Sequence, residues 1–360
     1  MASRMEVRCT CGQRMWTPPG IQSLQCSACN TFIRLSLFPV PGTRSRPFLP
    51  PSKLVSGSNH VGYYSRRLSE KGSSAVEAGG RLPSAFGRKR AVLCGLNYRG
   101  TSYALKGCIT DAKSMRSFLI HHMGFPPDSI LMLTEEEPSS QRFPTKKNMR
   151  KAMRWLVEGN RAGDSLVFHF SGHGSRQKDY NGDEIDGQDE ALCPLDQETE
   201  GKIIDDEINQ TLVRPLVPGA KLHAIIDACY SGTVLDLPFV CRMARNGYYK
   251  WEDQRSMGAY KGSNGGVAYC FSACDDHETS GYTPVFTGKN TGAMTYSFIK
   301  AVKADPSPTY GGLLSLMCSA IRDAQNSLSN DGAFAHSDEP AEPLLSSSEK
   351  FDIYKKKFVL

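Results

Sequence analysis

From Arg90 onward the sequence alternates short apolar runs with stretches of helical spacing, and this alternation constrains the fold more than any other feature. The runs are Ala91–Leu96, Ile130–Leu133, Ser165–Phe170, Leu222–Ile226, Val267–Phe271 and Leu344–Leu345. They lack the polar alternation of a half-solvated strand, so each reads as a strand covered on both faces. Between them, Asp111–His122 opens on a Thr110 or Asp111 N-cap and closes at Gly124. Thr145–Glu158 starts on a Thr cap and spaces Met149, Met153, Leu156 and Val157 as on one helix side. Two more helices are expected over Ala293–Lys303 and Gly312–Gln325. Strand-then-helix repetition predicts an α/β three-layer sandwich, a mostly parallel six-stranded sheet with helices on both faces.

The first part of the chain is built differently. Residues 1–90 carry 14 Lys and Arg against 3 Asp and Glu, a net of +11, while the rest of the chain is net negative at −5 (29 basic, 34 acidic). The two parts therefore face different partners. Cys9, Cys11, Cys26 and Cys29 form two close pairs with fourteen residues between them, a spacing that lets four thiolates close on one tetrahedral Zn²⁺. The first pair is C-x-C, tighter than the usual C-x-x-C, and the other reading is a weakly ordered prodomain without metal. Residues 36–88, rich in Pro, Ser, Gly and Arg and without apolar periodicity, bury too little surface to offset ordering entropy and read as a linker.

At 360 residues with 39% hydrophobic content, the chain holds one large core or two ordinary domains, which excludes a fibrous or mainly disordered protein. No stretch reaches the roughly 18–20 apolar residues of a membrane span, and the amino-terminal region lacks the apolar core of a secretion signal. No membrane association is expected. Twelve thinly spread cysteines, several inside apolar runs, argue for a reducing, cytoplasmic setting, with the nucleus open to the chain as well. The basic segment lacks interleaved aromatics or a recognition helix, so a nucleic-acid partner is not expected.

In open α/β sheets reactive groups gather at the carboxyl ends of strands. Two strands here end unusually: Val167–Phe170 runs into Ser171-Gly172-His173-Gly174, and Ala224–Ile226 into Asp227-Ala228-Cys229-Tyr230-Ser231-Gly232. A histidine between glycines and a cysteine at a sharp turn fit base and nucleophile, since a thiol of pKa about 8.5 needs an adjacent imidazole to become thiolate. The backbone N–H groups of Gly174 and Cys229 are candidates for holding an oxyanion. Taken singly, the histidine run also reads as a tight turn and Cys229 as a buried filler; together they favour a Cys–His hydrolase.

The runs S-G-H-G at 171–174 and D-A-C-Y-S-G at 227–232 resemble the two signatures of metacaspases, the caspase-related cysteine proteases of plants, fungi and protists. The likeness runs from Lys89 to Leu360 through A-V-L-C-G-L-N-Y, L-K-G-C-I-T-D-A, the acidic N-G-D-E-I-D-G-Q-D-E-A-L-C-P-L-D and F-D-I-Y. The order of Pro18, Gly20, Leu24, Cys26 and Cys29 is similar to the zinc fingers of lesion-simulating-disease proteins and of plant type I metacaspases. Tyr230 departs from the pattern, since many relatives have His beside the nucleophile.

The resemblance implies a caspase-like sandwich preceded by a finger at 1–35 and the 36–88 linker, with a large subunit-like region at 89–234, a connection at 235–266 and a small region at 267–360. It implies a monomeric zymogen linked to programmed cell death. Its specificity pocket maps onto Cys108, Asp111, Ser171 and Asp227, where two carboxylates suit the guanidinium of an Arg or the ammonium of a Lys before the scissile bond of a protein or peptide substrate. Asp111 alone also reads as a helix N-cap. The calcium site of calcium-activated members maps onto Asp189, Glu190, Asp205 and Asp206, a set that without the resemblance reads as a solvated acidic loop. Arg242, Arg245, Lys250, Arg255 and Lys261, in a segment expected to be exposed, are candidates for self-cleavage. A different class of function is a weakly active scaffold that engages an acidic partner or nucleic acid through the basic finger and linker.

Overall fold

A computed structural model describes residues 5–8, 14–17, 23–25, 32–34, 88–255, 260–273, 282–283, 291–330 and 342–360. The chain divides into two compact units, Met1–Arg81 and Leu82–Leu360. In the first, β1 (Met5–Arg8) pairs antiparallel with β2 (Arg14–Thr17), and β3 (Ser23–Gln25) with β4 (Phe32–Arg34). Cys9, Cys11, Cys26 and Cys29 lie outside the described residues, as does nearly all of the 36–88 linker.

The second unit is built from β5 (Lys89–Gly95), α1 (Cys108–His121), β6 (Ile130–Thr134), α2 (Lys146–Val157), β7 (Ser165–Ser171), β8 (Gly174–Lys178), β9 (Gln188–Leu192), α3 (Gln197–Glu200), β10 (Ile203–Ile204), α4 (Asp205–Ile208), β11 (Lys221–Asp227), β12 (Phe239–Met243), β13 (Tyr249–Asp253), β14 (Val267–Ser272), β15 (Tyr282–Thr283), β16 (Thr291–Gly292), α5 (Ala293–Ala304), α6 (Tyr310–Asn330) and β17 (Leu344–Ser347). Its main sheet has eight strands in the order β13-β12-β17-β14-β11-β7-β5-β6. The neighbours from β14 to β6 pair in parallel; β17, β12 and β13 join antiparallel.

Successive side chains of a strand point to opposite faces, so each apolar run feeds two cores. Val92, Cys94, Leu166, Phe168, Ile226 and Cys270 pack with Met149, Met153 and Leu156 of α2 on one side. Ala91, Leu93, Val167, Ile225 and Phe271 pack with Met115 and Phe118 of α1, Phe298 of α5 and Leu314 of α6 on the other. Burying one such side chain stabilises by roughly 1.5–3 kcal/mol, which explains why the central strands tolerate no polar alternation.

Two details differ from expectation. The sheet has eight strands instead of six because the 235–266 connection folds into the hairpin β12–β13 at its edge. Helix α1 begins at Cys108 behind Gly107, whose φ of 116° suits a residue without a side chain, so neither Thr110 nor Asp111 is its N-cap. Thr145 does cap α2, its hydroxyl accepting from the Asn148 N–H.

Candidate active site

Strands β7 and β11 run side by side with Ser171 opposite Asp227, and His173 and Cys229 each follow two residues later. Parallel register thus brings both groups to one carboxyl edge. The Gly172 N–H donates to the Asp227 carbonyl at 3.2 Å, tying the two strand ends together. Beyond it, a β-carbon on Gly174 would stand 1.9 Å from the Cys229 carbonyl oxygen.

His173 is fixed by tyrosines that the sequence reading did not single out. The hydroxyl of buried Tyr98 accepts from the His173 N–H at 3.0 Å and donates to the Cys193 carbonyl at 2.6 Å. The Cys193 N–H in turn donates to the His173 carbonyl at 3.0 Å. The ring's Nε2 lies 2.7 Å from the Tyr103 carbonyl, and because a carbonyl only accepts, Nε2 carries the proton and Nδ1 is the basic nitrogen. Both tyrosine rings flank the imidazole, with centroids 4.8 and 5.8 Å away. Tyr98 takes a φ of 48° to reach this place. The only sequence signal for it was its position closing the A-V-L-C-G-L-N-Y run.

Among the described residues seven cysteines occur; six are buried and Cys229 is part-exposed. Burial pushes the thiols of Cys241, Cys270 and Cys318 up to about 12 and that of Cys193 up to about 11, which leaves them inert.

Cys108, Asp111, Ser171 and Asp227 are all buried beside these strand ends. The Ser171 hydroxyl donates to Asp111 Oδ2 at 2.8 Å, the Thr291 hydroxyl to Oδ1, and the Gly292 N–H to both oxygens at 3.1 Å. The Thr295 N–H donates to Asp227 Oδ2 at 2.7 Å, and a β-carbon on Gly292 would meet that carboxylate at 2.1 Å. Instead of capping its own helix, Asp111 therefore joins Asp227 around the start of α5. Burial raises the Asp111 carboxyl; burial and then the charge of Asp111 raise that of Asp227 to about 7.

A second acidic basin lies where β8 and β9 meet the segments after β10 and β11. Asp179, Asp183 and Asp189 bring one carboxylate oxygen each within 4.8 Å of one another, as do Asp183, Glu184 and Asp236. Asp189 Oδ1 and Asp183 Oδ1 are buried with no hydrogen-bond partner among the described residues. Burial, aided by Asp179, Asp206 and Asp183, raises the Asp189 carboxyl. Asp206 accepts from the Asn181 amide at 2.6 Å, and Asp205 Oδ2 from the Glu190 N–H at 2.8 Å. Such buried, uncompensated oxygens fit a hard cation. The grouping differs from the expected one: Glu190 pairs with Arg176 at 3.2 Å and accepts from the Thr233 hydroxyl, while Asp236, Asp183 and Asp179 join the basin.

Residues 89–238 match the family described as metacaspase, peptidase C14 domain. Metacaspase-3 of Arabidopsis thaliana is 67% identical over 362 residues that span 100% of both chains, and metacaspase-1 of the same plant is 47% identical over 376 residues, 100% of this chain and 97% of its own. The chain belongs to the metacaspases. It is therefore a cysteine peptidase. Among solved structures, caspase-1 from Spodoptera frugiperda matches with a TM-score of 0.45 at 11% identity, covering 80% of this chain and 96% of that one.

In this metacaspase Tyr230, beside Cys229, adopts a left-handed φ of 49° and lies under the Arg176 guanidinium, 5.5 Å from the ring centre. Arg176 also reaches Asp186 at 3.5 Å, so one arginine touches both the neighbour of the thiol and the edge of the acidic basin. The five basic residues of the connection stand in different settings. Arg242 and Lys250 face each other across β12–β13. Arg245 sits in the turn between them with its side chain 63% exposed, and Arg255, 53% exposed, follows the hairpin. Lys261 departs from the expected exposed loop: it is 2% exposed because its ammonium is drawn into the acidic basin.

Proposed function

We propose that this metacaspase is a calcium-activated, self-processing endopeptidase that cleaves after Arg or Lys and acts as a monomer. The observation that carries the reading is the buried pair Asp111 and Asp227 at the strand ends that lead to His173 and Cys229. Two carboxylates that repel each other in a buried site attract a cationic side chain, and the bidentate guanidinium suits them best. In the proposed reaction His173 Nδ1 takes the Cys229 proton and the thiolate attacks the carbonyl carbon. The N–H groups of Gly174 and Cys229 hold the resulting oxyanion. Collapse breaks the peptide C–N bond as His173 returns the proton to the leaving amine. Water, deprotonated by His173, then hydrolyses the thioester.

Asp183, with Asp179 and Asp189 on one side and Glu184 and Asp236 on the other, would hold Ca²⁺, which would supply the positive charge this basin lacks. Arg176 gives a physical reason for activation, because ordering of the basin edge bears on the residue next to the thiol. Cys9, Cys11, Cys26 and Cys29, two close pairs in the sequence, would hold a structural Zn²⁺. The test is cleavage of matched peptides bearing Arg, Lys or Asp at the scissile position, with calcium and with chelator. Calcium-dependent cleavage of the Arg and Lys peptides, abolished by Cys229→Ala and by His173→Ala, is expected. Cleavage of the Asp peptide at a similar rate would refute the acidic pocket.

A further inference from the structure

Lys261 is the buried cation of the acidic basin. Its Nζ lies 2.6 Å from Glu184, 2.6 Å from Asp236 and 3.8 Å from Asp183. All three carboxylates are among those that would hold calcium. An ammonium and a divalent ion cannot share the same oxygens, since at such separations like charges repel strongly in a buried setting. The lysine brings one positive charge to a basin that gathers Asp179, Asp183, Glu184, Asp189 and Asp236, and two buried oxygens, on Asp183 and Asp189, still lack a hydrogen-bond donor among the described residues. A doubly charged ion with several open coordination positions satisfies such a basin better than one ammonium with three donors.

The lysine cannot retreat alone. Its side chain is 2% exposed, and its backbone carbonyl accepts from the Asn209 amide at 3.3 Å. The same amide donates to the carbonyls of Leu235 and Asp236 at 3.1 and 2.8 Å. Asn209 thereby clamps the segment around Lys261 to the chain that follows the nucleophile.

Building on the proposed calcium site, we infer that Lys261 is a tethered cation that fills the basin in the metal-free protein. Calcium then enters by displacing its ammonium, which frees the segment around Lys261. The basin is a competition between a tethered and a free cation, and the tether sets the calcium threshold. The same exchange turns a buried lysine, poorly placed as a cleavage point, into an accessible one.

The experiment uses the full chain carrying Cys229→Ala, so that nothing cleaves itself, with Ca²⁺ alone as the probe. Calorimetric titration compares it with the same chain carrying Lys261→Gln in addition. Removal of the internal competitor is expected to tighten calcium binding on the order of tenfold. Separately, the Cys229→Ala chain is digested with endoproteinase Lys-C and the bond after Lys261 is followed by mass spectrometry. Cleavage there is expected to be slow in chelator and about tenfold faster with calcium, a readout that stands even if Lys261→Gln fails to fold. Equal or weaker calcium binding by Lys261→Gln, or an unchanged Lys261 cleavage rate while calorimetry shows calcium bound, overturns the inference and leaves the calcium site intact. Absence of calcium binding in both chains overturns the calcium site and the inference with it.

Discussion

The α-carbon of Gly174 lies so close to the carbonyl of Cys229 that a β-carbon there would stand 1.9 Å from the oxygen, with the Ala228 side chain 3.3 Å away on the same side. Real β-carbons do not approach a carbonyl oxygen within 3 Å, so any side chain at 174 must push the nucleophile turn aside. The Cys229 backbone has little freedom to yield, because the preceding Asp227 carbonyl is already held by Gly172. Gly174→Ala is expected to keep the sheet and the circular dichroism of the parent while lowering kcat/KM by about 10²-fold, the usual cost of a displacement of roughly 1 Å. Retained activity would show that the turn adjusts without moving the thiol.

The thiols offer a chemical check that does not depend on finding the substrate. Among the seven cysteines of the described residues, Cys229 alone is part-exposed, and burial raises the thiols of Cys193, Cys241, Cys270 and Cys318. Brief treatment of the native chain with iodoacetamide at neutral pH, followed by peptide mapping, should label Cys229 before the other six. A faster reaction at any of those six would contradict the packing described here.

Tyr98 acts as a strut beneath the histidine, since its hydroxyl serves both the His173 N–H and the Cys193 carbonyl. Tyr98→Phe leaves two buried polar groups short of a partner, at a cost of about 1–3 kcal/mol for each group left unsatisfied. A lower melting temperature and a reduced kcat with little change in KM are expected, because the ring that flanks His173 is retained while the loop that carries it loosens. A larger effect on KM than on kcat would assign Tyr98 to substrate contact.

The parallel core and both reactive strand ends are legible in the sequence because a strand covered on both faces is mostly apolar, as Leu166, Val167, Phe168 and Phe170 are around the buried His169, whose ring meets the Thr295 hydroxyl. The hairpin β12–β13 obeys another rule. In it Val240 and Cys241 are buried while Arg242 and Lys250 carry exposed side chains and Glu252 is half-buried, so an edge ribbon with half its groups in water resembles a basic loop when read residue by residue. Lys261 was illegible for a different reason. Its partners Asp183, Glu184 and Asp236 lie far off along the chain, and only the fold brings them to one lysine. Asp111 shows the same limit: its place in a helix-opening run suggested a cap, yet Ser171 of β7 and Thr291 and Gly292 of β16 claim it from two other segments.

The carboxylate pair of the pocket carries a pH signature of definite sign. Burial raises both Asp111 and Asp227, the latter to about 7, so the native state holds protons that the unfolded chain has already released at mildly acidic pH. The stability this contributes is fully present below the unfolded value of 3.8 and is lost as pH rises through about 7. Asp227→Asn removes the penalty, so its melting temperature is expected to exceed the parent's by several degrees at pH 8 and by little at pH 4. The same variant should lose about 10²-fold or more in kcat/KM toward an Arg peptide, because a guanidinium then meets one carboxylate instead of two. A variant that gains no stability at pH 8 would contradict the raised carboxyl of the buried Asp227.

Self-processing, if it follows the exposure of the chain, should begin at Arg255. Arg242 and Lys250 sit opposite each other in paired strands, where the backbone hydrogen bonds of β12–β13 must break before a protease can hold the chain extended. Arg245 occupies a turn of four residues closed by the Ala244 N–H donating to the Tyr248 carbonyl at 2.7 Å and the Gly247 N–H to the Ala244 carbonyl at 2.8 Å. Arg255 follows the end of the hairpin, and its side chain is 53% exposed, bonded to neighbouring Asp253 and lying 5.0 Å from the centre of the Phe239 ring. Amino-terminal sequencing of the small fragment released in calcium should therefore find Ser256 first, and Arg255→Gln should slow release by about tenfold or more while Arg242→Gln and Lys250→Gln leave it unchanged. A first cut after Arg242 or Lys250 would mean that the edge hairpin opens more readily than its pairing implies.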